Sequence, residues 1–110
     1  MGNTNEEFLE ILANNLSNES KWFLTVLMRE DNSLHKEELR DLANNSYRDY
    51  LIKKGEELIS PLIPSRHGLD IHTARLEGAG LVSVKEYGRV RRYSITPLGE
   101  ALLGFIANYK

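Results

Sequence analysis

Apolar residues recur along the first half of the chain at the three- and four-residue spacing of helices. Phe8, Leu9, Ile11, Leu12 and Leu16 share one side of residues 5–16, with Glu6 and Glu7 where a helix start favours negative charge. A polar break comes next at Ser17, Asn18 and Glu19, in which either Ser17 or Asn18 can cap. Beyond it, Trp22, Phe23, Val26 and Leu27 line a second helix running to Arg29, expected to be the most buried and to carry Trp22 in the core. Glu30 to Ser33 read as a turn and Leu34 as a short extended link. Glu37, Glu38, Leu39, Leu42 and Ala43 then resume the helical pattern, with His35 in the cap region.

Residues 44–65 break the pattern. Asn44, Asn45 and Ser46 interrupt it, while Gly55, Pro61 and Pro64 punctuate the rest of the segment. Tyr47, Tyr50, Leu51 and Lys54 allow a further helical piece stopped by Gly55, and Leu58, Ile59, Leu62 and Ile63 suggest a short buried stretch. Pro64 disfavours helix at Ile63, so the next helix starts at or after Ser65. It runs from about residue 66 to 79. Leu69, His72, Thr73 and Leu76 trace one side of it, and His67, Ile71 and Ala74 face the other way, flanked by Asp70 and Arg75. Leu81–Tyr87 and Val90–Thr96, rich in Val, Tyr, Ile and Thr and separated by Gly88 and Arg89, predict a β-hairpin. Alternation sends Arg91, Tyr93 and Ile95 to one side and Arg92 to the other. Thr96 followed by Pro97 marks a helix start, after which Leu98, Leu102, Phe105 and Tyr109 share a face. The predicted fold is mainly α with one small β-hairpin: four or five helices, the hairpin and a closing helix, in one domain spanning residues 1–110.

Composition narrows the chemistry. With 41% apolar and 27% charged residues, the chain reads as globular. It has no cysteine, which excludes disulfides, thiolate nucleophiles and zinc–cysteine sites. No stretch approaches the roughly 20 apolar residues of a membrane span, and the polar start, Met1 to Asn5, is unlike a signal peptide, so an intracellular, cytoplasmic protein is expected. The net charge of −2 is unevenly placed. Residues 1–64 carry seven Lys/Arg against twelve Asp/Glu, and residues 65–110 carry seven against four. A −5 half therefore precedes a +3 half, and screening within about 10 Å lets the basic half act as a phosphate-attracting face by itself.

Catalytic signatures are missing: there is neither a Gly-x-Ser-x-Gly elbow nor a glycine loop for phosphate, so an enzyme is not expected, nor a cofactor. His67 and His72 are five residues apart, about 140° around a helix, which argues against their sharing a metal ion. His72 is better placed to pack on the core.

The segment Leu69-Asp-Ile-His-Thr-Ala-Arg-Leu-Glu-Gly-Ala-Gly-Leu-Val82, with Tyr87-Gly-Arg-Val-Arg-Arg-Tyr-Ser-Ile-Thr-Pro-Leu-Gly99, resembles winged helix-turn-helix regulators of bacteria and archaea, above all the arsenic-repressor and multiple-antibiotic-resistance-repressor groups. In those families a recognition helix turns into the wing through Ala-Gly-Leu-Val, matched by Ala79 to Val82. The wing closes on an aromatic-x-leucine-threonine-x-x-glycine segment, matched by Tyr93, Ile95, Thr96 and Gly99. The resemblance implies sequence-specific binding of double-stranded DNA by a transcriptional regulator, the helix in a major groove and the wing on phosphate or in a minor groove. Candidate DNA-binding residues are Ser65, Arg66, His67, Asp70, Ile71, Ala74 and Arg75 on the helix and Lys85, Arg89, Arg91 and Arg92 on the wing, with Arg89 and Arg92 favoured for phosphate or a minor groove. A homodimer is expected through Phe8, Leu12 and Leu16 of the first helix and Leu102, Phe105 and Tyr109 of the last. The alternative is a winged-helix module that binds protein within a larger transcription or replication assembly. One departure stands out: about twenty residues, as an extended helix or an insertion, replace the family's tight turn before the recognition helix.

Overall fold

The computed structural model describes residues 3–30, 32–57 and 60–108, with the side chains of residues 3 and 4 excepted. Leu58, Ile59 and Tyr109 lie outside the described residues. The order is α1 (Asn3–Asn15), α2 (Asn18–Glu30), β1 (Leu34–His35), α3 (Lys36–Lys53), α4 (Arg66–Gly78), β2 (Val82–Tyr87), β3 (Val90–Ile95) and α5 (Pro97–Asn108). This is a winged helix: helices closed by an antiparallel sheet of order β1-β3-β2. The Leu34 link becomes a strand because Leu34 and His35 pair with Tyr93 and Arg92.

Ser17 caps α2, accepting from the Ser20 N–H at 3.1 Å. Phe23, Leu24, Val26 and Leu27 of that helix meet Leu39 and Ala43 of α3, Leu69 and Leu76 of α4, Tyr93 of β3 and Leu102 of α5 in one buried cluster. Trp22 sits at the border of this core, not its centre. It is half-buried and meets Tyr47 and Tyr50 edge-on, with centroids 5.8 and 5.5 Å apart.

Helix α3 resolves the ambiguous segment in favour of extension, since it runs unbroken through Asn44, Asn45 and Ser46 to Lys53. Polar side chains of this kind break helices by competing for nearby backbone groups, and here two of the three are occupied elsewhere. The Asn44 side chain accepts from the Ile63 N–H at 2.8 Å and donates to the Ile63 carbonyl at 3.2 Å. Ser46 accepts from the Arg29 guanidinium at 2.9 Å. The Asn44 clamp also fixes the link between α3 and α4, seating Leu62 and Ile63 in the core and returning the chain to α4 beside α3.

The junction from α4 to the wing explains the Ala-Gly-Leu-Val motif. Gly80, at φ 76°, lets the Gly80 and Leu81 N–H groups reach the carbonyls of Glu77 and Leu76 at 3.1 and 3.0 Å. Thr96 then ties the far end of the hairpin back. Its N–H donates to Leu81, its hydroxyl donates to the Gly80 carbonyl at 2.7 Å, and the same hydroxyl accepts from the Gly99 N–H at the start of α5. A Cβ at Gly99 would collide with the Leu81 carbonyl and the Ile95 side chain, so this position requires glycine.

Candidate nucleic-acid interface

Helix α4 buries Leu69, Thr73 and Leu76 and exposes His67, Asp70, Ala74 and Arg75, as its periodicity predicts, whereas Ile71, expected on the outward face, is half-buried. Ser65 caps it by accepting from the Gly68 N–H at 3.1 Å, so this candidate contact residue already has a structural role. His72 is half-buried against Phe23, with Nδ1 3.2 Å from the Ser17 hydroxyl, which links α4 to the cap of α2. Among the described residues, no group of three or more His, Asp or Glu is placed to hold a metal ion.

Between the start of α4 and the wing lies a cleft of about 350 Å3, lined by His35, Lys36 and Glu37 at the start of α3, Arg66 of α4, and Arg89, Val90 and Arg91 of the hairpin. His35, Lys36, Glu37 and Val90 were not among the residues expected from the sequence. They arrive here because β1 pairs with β3 and delivers the first turn of α3 beside the wing. His35 caps α3, accepting from the Glu38 N–H, while Glu38 accepts from the His35 N–H.

The candidate cations fall into two sets. Arg66 pairs with Glu37 at 2.9 Å and with Asp70 at 3.2 Å, and Lys36 shares the same Asp70 oxygen at 2.9 Å. The Lys36 ammonium, with Arg66 beside it, holds the exposed Asp70 carboxyl below its ordinary value. Arg91 donates through Nη2 to both Glu77 oxygens at 3.0 Å and lies over the Tyr93 ring. Arg92 turns away from the turn of the wing. It donates to the Ser33 hydroxyl at 2.9 Å and the Ser33 carbonyl at 2.6 Å and so braces β3 against the loop before β1. Arg75, Lys85 and Arg89, by contrast, are exposed and make no ion pair among the described residues.

The residues expected at a dimer surface also divide. Leu102 is fully buried in the protomer's own core and cannot meet a second copy. Leu12, Leu16 and Phe105 are half-buried, whereas Phe8 is exposed, as is Ile11, which was not in the expected set. No helix among the described residues is long and apolar enough to cross a membrane.

No family model matches the chain. Among solved structures, RosR of H. salinarum resembles it with a TM-score of 0.59 over 88% of this chain and 76% of that one. A complex, hsRosR-S4, gives 0.60 over 88% and 72%. Both are 21% identical to this chain, a likeness of fold. The DNA-binding protein TubR of Bacillus cereus is 44% identical over 101 residues, 91% of this chain and 83% of that protein. That identity, over nearly the whole of both chains, makes the protein a member of the TubR family.

Proposed function

We propose that the protein binds double-stranded DNA as a homodimer, with α4 in a major groove and the hairpin as a wing on phosphate or in a minor groove. The observation that carries this reading is the cleft between α4 and the wing, where Arg66 of α4 meets Arg89 and Arg91 of the hairpin. Arg75, Lys85 and Arg89, which lack carboxylate partners among the described residues, suit phosphate contact. Ile71 and Ala74 suit thymine methyl groups. The name of the B. cereus relative supports the same ligand. A regulator of transcription acting inside the cell is the role that fits such a module, and the helix-to-wing turn favours the arsenic-repressor and multiple-antibiotic-resistance-repressor style of it.

The dimer surface we propose is the outer face of α1 beside α5, where Phe8 and Ile11 are 52% and 60% exposed. Burying two such side chains against a second copy removes apolar area from water, and two-fold symmetry sets two recognition helices at a fixed spacing. Titration of random duplex DNA at several salt concentrations tests the first part. Affinity falling linearly on a log-log plot is expected; no duplex binding at low salt leaves the protein-interaction module in its place. Sedimentation at tens of micromolar tests the second, a dimer being expected and a monomer with and without DNA contradicting it.

A further inference from the structure

Arg66 differs from the other cations at the cleft in being hydrogen-bonded to two different carboxylates through two of its nitrogens. Nε donates to Asp70 of its own helix, one turn on, and Nη1 donates to Glu37 of α3. Three donors, one on Nη1 and two on Nη2, are left for a ligand. Two donors from the outer nitrogens of a guanidinium form paired hydrogen bonds equally well with a phosphate or with O6 and N7 of guanine. The neighbouring charges decide between them. Lys36 and Arg66 are matched by Glu37 and Asp70, so this corner is a neutral quartet, and a phosphate bound end-on to Arg66 would approach two carboxylates within bonding distance of the same group. A guanine edge carries no net charge and meets no such repulsion. Arg89, also at the cleft, makes no ion pair among the described residues and is open to phosphate.

We infer that Arg66 is a base-reading arginine directed at a guanine in the major groove, and that Glu37 and Asp70 are the positioning residues that orient its fork and turn phosphate away. The inference rests on the DNA-binding reading and assigns a specificity role within it. The carboxylates act by geometry and by charge. They restrict a long, flexible side chain before DNA arrives, and they lower the attraction of this corner for duplex of any sequence. Lysine cannot replace Arg66 in this role, because its ammonium lacks the planar fork.

The test is to select a preferred duplex from a random pool with the wild-type protein. Affinities are then measured for that site, for versions with each G·C pair replaced in turn, and for a scrambled duplex, at several salt concentrations. Wild type is expected to lose roughly tenfold at one G·C position, and Arg66→Lys to bind the original and altered duplexes at that position alike. Glu37→Gln and Asp70→Asn are expected to bind scrambled duplex more tightly than wild type, with a salt slope steeper by up to about 1, so that their specificity ratio narrows. If Arg66→Lys keeps every base preference, or if both carboxylate variants weaken binding to all duplexes alike, the inference is overturned while salt-dependent binding by the wild type leaves the DNA reading intact. A wild-type protein that binds no duplex removes both.

Discussion

The corner where α3 meets α4 and the turn of the wing carry the same kinds of residue and differ in what faces them. At the corner, Arg66 and Lys36 are held by Glu37 and Asp70. At the turn, Arg89 and nearby Lys85 meet no carboxylate among the described residues. Unpaired surface cations lend charge and little geometry, whereas paired ones lend geometry and almost no net field. A winged helix can therefore separate attraction to the DNA backbone from reading of the bases, although its sequence shows only a scatter of Arg and Lys.

Damage to the frame on which both regions hang should have the largest effect, erasing the difference between them. Gly99→Ala pushes a methyl group into the Leu81 carbonyl and Ile95, and should cost about 3 kcal/mol, lowering the melting temperature by on the order of 10–20 °C. Asn44→Ala comes next. It removes both bonds to the Ile63 backbone that hold the link beside α3, and about 2 kcal/mol should be lost in denaturant unfolding. Arg92→Ala draws the same distinction within the wing itself. Without its two bonds to Ser33 the protein should lose about 1 kcal/mol, while Arg89→Ala should leave the melting temperature within error. The smallest effect concerns acid. Asp70 has its carboxyl lowered from 3.8 by Lys36 and then Arg66, so its ion pairs are complete above that value and lost as pH falls through the lowered one. The melting temperatures of wild type and Asp70→Asn should therefore converge in acid and separate slightly, wild type higher, above about pH 4.

Much of α4, the hairpin and α5 was legible because their signals are local: the break at Pro64, the turns at Gly80 and Gly88, and the Thr96-Pro97 start. The course of α3 was not, because what keeps Asn44 and Ser46 helical comes from Ile63 and Arg29, 19 and 17 residues away. The cleft was half legible. Arg66, Arg89 and Arg91 stand out as basic residues on readable elements, but His35, Lys36 and Glu37 join them only through the pairing of β1 with β3. Arg92 is the same lesson at a single residue. Alternation sends it to the side opposite Tyr93, and only the fold brings Ser33, 59 positions earlier, against it. An apolar helix face likewise does not say which of its residues meet the protomer's own core, which is why Leu102 reads as surface and Ile11 does not stand out.

If the unpaired cations of the wing supply affinity without sequence preference, a salt titration should show it. The proteins to compare are wild type and the double variant Lys85→Ala/Arg89→Ala, each on a selected duplex and a scrambled one. If each residue neutralises one phosphate, the magnitude of the log-log slope should fall by about 2 on both duplexes, and the ratio of the two affinities should stay as it is in wild type. An unchanged slope, or a specificity ratio that collapses with the charge, would contradict it.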